Sequence, residues 1–396
     1  MTLPPFDLQG WDAADVRDPY PVYQRYLAAS PVHAVDGNYY VFGHAAASKV
    51  LSSQVFGRRS GSGGGPVPSG HSVLRTMVEN WLVFLDPPRH TELRAVLNKE
   101  FSPTVVSNLR ERITTIAKEL LAELPSQGAF DLVESFSAPF PILVISELLG
   151  VPRDHWDWLR GQAVDLQEAS SSRAARNPDA HKIAEGAARE LHAYFTDLAR
   201  RRRADPGVDL VSLMVSAQTR GEPLSSDEIV ATCVHLMTAG HETTTNVLSK
   251  AVLTLASRPA ALAELRSSGV TPAAVEELTR FDSPVQAVSR WAYEDSTVDG
   301  VPIPRGSKVM VMLGAANRDP ARFTAPDELV LDRPAGRNVS FGLGIHYCLG
   351  ANLARAEIEI GLSLLLGALG EFTVDSAEYP YDMVFHGPSH VTVSRV

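Results

Sequence analysis

The sequence predicts a mainly α-helical fold with a smaller β region, and three observations carry that prediction. Residues 229–257 hold no proline and only Gly240 as a breaker, so they read as one helix of roughly 43 Å at about 1.5 Å per residue. Amphipathic runs recur before it, at 105–124 and 136–149, with further helical runs at 156–167 and 183–202. Strand composition gathers instead at about 31–43, 285–313 and 372–396. A chain of 396 residues could form two or three domains. No linker divides it, so residues 1–396 are expected to form one domain.

In order along the chain, Asp18-Pro19-Tyr20-Pro21 opens a short helix ending near Ser30. Residues 31–43 form a hairpin turning at Asp36-Gly37-Asn38, and 45–51 a helix. Residues 58–70, rich in Gly, Ser and Pro, form a loop. Asp86-Pro87-Pro88-Arg89-His90 starts a helix with proline near its first turn. Helices over 156–167 and 183–202 flank the polar stretch 168–177, and a short helix spans 210–216. Ser225 followed by Asp227 and Glu228 is a good start for the long helix. Helices at 260–268 and 271–281 precede strands at 285–293, 297–298, 301–303 and 308–313. A proline-rich meander (321–336), an apolar helix (351–369) and terminal strands complete the chain.

Composition excludes several functions. Net charge is −10, with no basic block beyond Arg200–Arg203, which argues against nucleic acid as a partner. The two cysteines, Cys233 and Cys348, make no disulfide framework. Residues 1–10 lack a charged-then-apolar signal pattern, and no apolar run reaches the ~20 residues of a membrane span. A cytoplasmic protein with no membrane contact is expected. Of 36 basic residues only six are Lys, a bias that points to a GC-rich genome.

Four stretches carry chemistry. In Ser340–Gly350 three glycines crowd Cys348 before an apolar helix. Glycine permits positive φ or close approach of a flat group, and a helix start favours thiolate over thiol. Such a thiolate suits axial ligation of haem iron; a structural cysteine in a turn is the alternative. Tyr347 stands where a dinucleotide fingerprint needs its third glycine. His90 and Arg94, four apart, project from one helix face. In the long helix lies Thr238-Ala239-Gly240-His241-Glu242-Thr243-Thr244. Gly240 costs about 1 kcal/mol there relative to Ala, and Thr243 can bond the Ala239 carbonyl and bend the helix. A locally opened helix with room for a diatomic ligand is one reading, and a harmless glycine the other. Thr245 occupies the second histidine's place of a zinc-protease motif. Glu277 and Arg280, at i and i+3, can pair, and Cys233 belongs to the core.

Phe341, Gly342, Gly344, His346, Cys348 and Gly350 together resemble the haem-binding loop of the cytochrome P-450 family. Ala-Gly-x-Glu-Thr-Thr resembles that family's oxygen-binding motif, although Asp often stands where Glu242 does. His90-x-x-x-Arg94 resembles its propionate pair, and Glu277-x-x-Arg280 its structural pair, with Arg333 as the locking arginine. These motifs occur in family order along essentially the whole chain.

The resemblance implies the P-450 fold, with one haem b buried between the long helix and the cysteine loop and Cys348 as the metal ligand. His90, Arg94, Ala239, Gly240, Arg290, Phe341, Gly342, His346 and Gly350 would contact the haem. Thr243 and Glu242 would deliver protons. Trp81, Leu82, Ala239, Val285, Val288, Val384 and Phe385 would line a hydrophobic substrate pocket. The activity implied is monooxygenation with O2, supplied by ferredoxin and ferredoxin reductase docking near Arg94, Lys99, Arg110 and His346. The substrate implied is a secondary metabolite such as a polyketide or macrolide. Alternatives are a peroxide-driven haem oxidase, a haem sensor or carrier, and a helical binding protein without haem.

Overall fold

The computed structural model describes the chain except residues 1–2, 61–66, 69, 170–173, 175–176, 220, 335 and 396. Its axis is the central helix Ser226–Ala256, 31 residues long. Ser225 Oγ accepts from Glu228 N–H while the Glu228 carboxylate accepts from Ser225 N–H. This reciprocal pair satisfies donors that a helix start otherwise leaves orphaned. Helices Pro139–Leu148, Ala180–Ala204 and Ala351–Leu369 pack against the central helix. The last of these, the proximal helix, also packs on Pro103–Ala122. Its Glu357 is buried and bonds Thr244 of the central helix. Burial pushes that carboxyl well above the usual range, against the Thr244 bond.

The strands are β1 (Val32–Val35), β2 (Asn38–Val41), β3 (Phe56–Gly57), β4 (Gly128–Asp131), β5 (Gln218–Thr219), β6 (Glu222–Pro223), β7 (Ala287–Ala292), β8 (Ser296–Val298), β9 (Val301–Ile303), β10 (Lys308–Met312), β11 (Phe372–Glu378) and β12 (His390–Arg395). The largest sheet has the order β1-β2-β10-β7-β3. Only its β2–β10 pair is parallel. The β1–β2 turn places Asp36 and Gly37 at φ 48° and 78°, whose twist suits a two-residue hairpin. A second sheet runs β11-β12-β4, and β5-β6 and β8-β9 are separate hairpins. One hydrophobic core fills the space between the helices and smaller ones lie against the large sheet.

The helical majority and the smaller β region agree with expectation, with differences at edges. The helix expected from residue 136 starts at Pro139, after a π-helical turn at Val133–Ser137. Strands β3 to β6 were not expected. They are two to four residues long, too short to show alternation, and the first two exist because β7 and β12 supply hydrogen-bonding edges. The strand expected over 285–293 is shorter, and Val285 instead bridges Phe385. The loop at 58–70 and the polar stretch at 168–177 lie partly outside the described residues. Among the described residues, no helix is long and apolar enough to cross a membrane.

A buried polar knot ties the N-terminal segment and the C-terminal strands to the central helix. Lys250, 1% exposed, donates from Nζ to Ser283 O at 2.9 Å and pairs with Asp282 at 2.6 Å. It also contacts His386 Nδ1 at 2.9 Å, while His386 Nε2 meets Val16 O at 2.7 Å. Nε2 must therefore carry the proton, and Nδ1 accepts from the ammonium. Protonating Nδ1 would set two cations in contact, and burial together with Lys250 lowers the His386 pKa to about 4. The folded state thus binds fewer protons than the unfolded chain, whose histidine titrates near 6.5. This contribution is complete above about pH 6.5 and is lost as pH falls toward 4, at roughly 1.4 kcal/mol per unit. Urea midpoints should fall between pH 7 and 5, and the His386→Gln variant should show a shallower fall. Equal slopes would show that His386 does not set the acid limit.

Candidate functional site

The loop before the proximal helix is shaped by its own backbone. Cys348 N–H donates to Phe341 O at 2.8 Å and Gly342 N–H to Val339 O at 2.9 Å, closing the loop. Gly342 and Gly344 adopt φ 68° and 70°, conformations that side-chain-bearing residues rarely take. A Cβ at Gly344 would also lie 2.5 Å from Leu51 O, so helix His44–Ser52 seals one side of the loop. Phe341 stacks under the guanidinium of Arg355, 4.4 Å away.

The Cys348 thiol is accessible, yet protein surrounds it closely enough for desolvation to dominate its ionisation and raise its pKa. It therefore lies on the wall of an internal recess. The Gly350 N–H, Arg94 and Arg355 work against that rise without overcoming it. Burial thus opposes the thiolate, and a cation at close range, as a metal would provide, would favour it. Among the described residues no cluster of three or more His, Cys, Asp or Glu side chains gathers at metal-ligand spacing. A metal at Cys348 therefore has to arrive in its own ligand frame.

Cationic side chains crowd the same region. His90, 1% exposed, lies 4.2 Å from the His346 ring, centroid to centroid. Both ring nitrogens of His90 and Nε2 of His346 are buried without a hydrogen-bond partner. Burial and neighbouring cations lower their pKa values to about 4 and about 2. Arg94 donates to Tyr347 O at 2.6 Å. Arg290, on β7, is 4% exposed and donates to Ser289 O at 2.9 Å. Burial pushes its pKa down to about 10, opposed only by Asp86. Buried donors without partners and buried cations without carboxylates are both costly. A flat, iron-bearing macrocycle with two carboxylates satisfies each of these demands, so the residues fit haem.

The central helix presents one open face. Ala239 is exposed and Gly240 and Thr243 are half-buried, in a helix whose other residues are nearly all buried. Thr243 donates to Ala239 O at 3.0 Å, as expected. The central helix runs without a break through Gly240, and Ile145 lies 3.7 Å from where a Gly240 Cβ would sit. Glu242 is buried, about 100° around the helix from Thr243. The two side chains do not share a face.

His235, one turn before Ala239, carried no sequence signal. Its ring stacks on Trp81 at 5.3 Å, and Trp81 stacks on Phe84 at 6.2 Å. Arg58 covers Phe84 at 5.2 Å, completing an aromatic wall from the central helix to the cation cluster. Burial and Arg58 lower the His235 pKa to about 4. Only the fold brings these residues together, so spacing could not have found them. Among the pocket candidates, Val285 bridges Phe385, and Val384 O accepts from Gln286 N–H at 2.8 Å. Val288 is half-buried on β7 beside Arg290, and Leu82 is buried in the main core.

The Glu277–Arg280 pair lies apart from this recess, each side chain 2% exposed. Arg280 makes two bonds to Glu277, at 2.7 and 2.8 Å, and reaches the carbonyls of Asn317, Pro326 and Glu328. Arg333 joins Glu277 at 3.0 Å, as expected. Of the basic residues expected on a docking face, only Lys99 is exposed. Arg94 and His346 turn inward to Tyr347 and His90, and Arg110 pairs with Glu359.

The family model described as Cytochrome P450 matches residues 174–268 and 269–380. The chain is 34% identical over 365 residues to the putative cytochrome P450 YjiB of Bacillus subtilis, covering 91% of this chain and 90% of that one. It is 38% identical over 325 residues to the vitamin D(3) 25-hydroxylase of Pseudonocardia autotrophica, covering 79% and 77%. The solved structure of the Bacillus subtilis bacillaene polyketide synthase cytochrome P450 PksS superposes with TM-score 0.88 at 30% identity, covering 98% of this chain and 99% of that one.

Proposed function

Because the chain belongs to the cytochrome P450 family, whose members are haem-thiolate enzymes using protoporphyrin IX haem, we propose that it inserts one oxygen atom from O2 into a hydrophobic organic substrate. The observation that carries this reading is the recess where Cys348 and the carboxylate-hungry His90, Arg94, Arg290 and His346 meet. Bound there, haem supplies oxygen activation and the oxidation itself.

The chain's residues do the rest. Cys348 would ligate the haem iron, and the bonds from Cys348 N–H to Phe341 O and from Gly342 N–H to Val339 O hold its loop. Phe341, Gly342 and Gly350 would contact the cofactor from this loop, and Ala239 and Gly240 from the central helix. His90, Arg94, Arg290 and His346 hold its carboxylates. Thr243 Oγ1 holds a proton on the open helix face, and Glu242 supplies it from the buried side. Since the two do not share a face, a Glu242 rotamer change or a bridging water links them. Trp81, Val285, Val288, Val384 and Phe385 turn apolar surface to the substrate and exclude water.

The apolar lining and the relatives' names, a vitamin D(3) hydroxylase and a polyketide synthase P450, support a sizeable hydrophobic substrate, such as a secondary metabolite undergoing tailoring. Electrons come from a ferredoxin and its reductase in the cytoplasm, docking on the Cys348 side near Lys99. The test is product formation from a panel of steroids, macrolactones and fatty acids under 18O2, with a surrogate ferredoxin, reductase and NADPH. One labelled oxygen atom per product is expected. Equal turnover with hydrogen peroxide alone would replace this reading with a peroxide-driven oxidase.

A further inference from the structure

Arg58 stands at the same recess and belongs to none of the motifs above. It follows the two-residue strand β3, which pairs Gly57 with Trp291 of β7. Gly57 has no side chain because a Cβ there would meet the Tyr293 ring at 2.1 Å. The Arg58 backbone N–H donates to Asp86 at 2.9 Å, fixing the start of the side chain. Arg58 Nε donates to Val83 O at 2.6 Å. Its Nη1 donates to Ser289 O, the same carbonyl that accepts from Arg290 Nη1 at 2.9 Å.

A half-buried and a buried guanidinium group therefore converge on one oxygen atom. Like charges placed together out of water repel, and they persist only with an anion between them. Among the described residues Asp86 is the carboxylate acting on both groups, and it also accepts from Arg59 N–H and the Tyr293 hydroxyl. Arg58 is pushed down to about 9 and Arg290 to about 10, with burial as the leading cause in each. Asp86 offsets one of these two charges, leaving one positive charge beside Ser289 O. A haem carboxylate placed there would close that balance.

We propose that Arg58 binds a haem carboxylate jointly with Arg290, as a further cofactor-binding residue of this chain. The proposal rests on the haem reading. The two fail differently, because the wild-type protein carries haem whether or not Arg58 touches it.

The test is haem transfer from the purified holoprotein to excess apomyoglobin, followed in the Soret band. Arg58→Leu should accelerate the transfer roughly tenfold or more, as expected for loss of a charge-assisted bond, and Arg58→Lys should recover part of the difference. The full chain loaded with haem dimethyl ester, whose carboxylates are blocked, should lose it at one rate in the wild type and Arg58→Leu. Arg58→Leu losing ordinary haem at the wild-type rate would overturn the proposal. So would an equal acceleration with the ester, which would mark a packing role. A carboxylate from an acidic substrate offers the same chemistry. Weakened binding of dodecanoate but not of its methyl ester, with haem transfer unchanged, would assign the pair to substrate and also overturn the proposal. Should Arg58→Leu fail to accumulate, the Arg58→Lys variant carries the same two-cofactor comparison.

Discussion

Glu277→Ala is expected to leave little or no folded holoprotein. Glu277 is the hub of a buried network, accepting from Arg280, from Arg333 and from Val330 N–H at 2.9 Å. Removing it strands the Arg280 guanidinium, 2% exposed, and unties the meander from helix Pro272–Phe281. Breaking a buried pair by deleting one partner costs about 3–5 kcal/mol, a large share of typical domain stability. Glu277→Gln keeps an acceptor for Val330 but not the charge, so it should fall between. The measurement is the yield of haem-containing protein and its urea midpoint. A Glu277→Ala protein with wild-type yield and midpoint would show that the meander is held by packing alone.

Thr243→Ala is expected to separate oxygen consumption from product formation. Thr243 is half-buried on the one open face of the central helix, with its hydroxyl bonded to Ala239 O. That bond orients the hydroxyl, and the methyl of alanine can neither hold nor pass a proton. Positioned proton transfer contributes about 10²–10⁴-fold, so coupled turnover should fall by about 10² or more. NADPH oxidation should continue, with hydrogen peroxide released in place of product. Thr243→Ser should retain most of the coupling because it keeps the oxygen atom. Unchanged coupling in Thr243→Ala would assign proton delivery elsewhere. The contact of Thr243 with its own helix is local, so fold and haem content should stay unchanged.

How much was legible in the sequence depended on whether the determinant was local. The helices Leu210–Ser216 and Ala351–Leu369 begin and end where expected, the first opened by the Asp209 cap and the second bounded by Gly350 and Gly370. The start of the central helix was readable from Ser225 and Glu228 for the same reason. Arg333 was readable as the partner of Glu277 only through the family resemblance, since 56 residues separate them. What failed was tertiary. Strands β3 and β4 borrow their order from distant edges. The Cys348 thiol is raised by desolvation that no spacing reveals. Arg94 and His346, expected both at the haem and on a docking face, turn inward to Tyr347 and His90. Arg58 and His235 acquire meaning only where β3, β7 and the central helix meet the aromatic wall.

The central claim is that Cys348 ligates haem iron as a thiolate in the recess built by the loop and the cation cluster. Its most direct test is the absorption spectrum of the dithionite-reduced protein under carbon monoxide, recorded for the wild type and Cys348→His. A strongly red-shifted Soret band in the wild type, lost in Cys348→His, is the predicted result. A wild-type spectrum of the histidine-ligated kind, or one unchanged by Cys348→His, would contradict it.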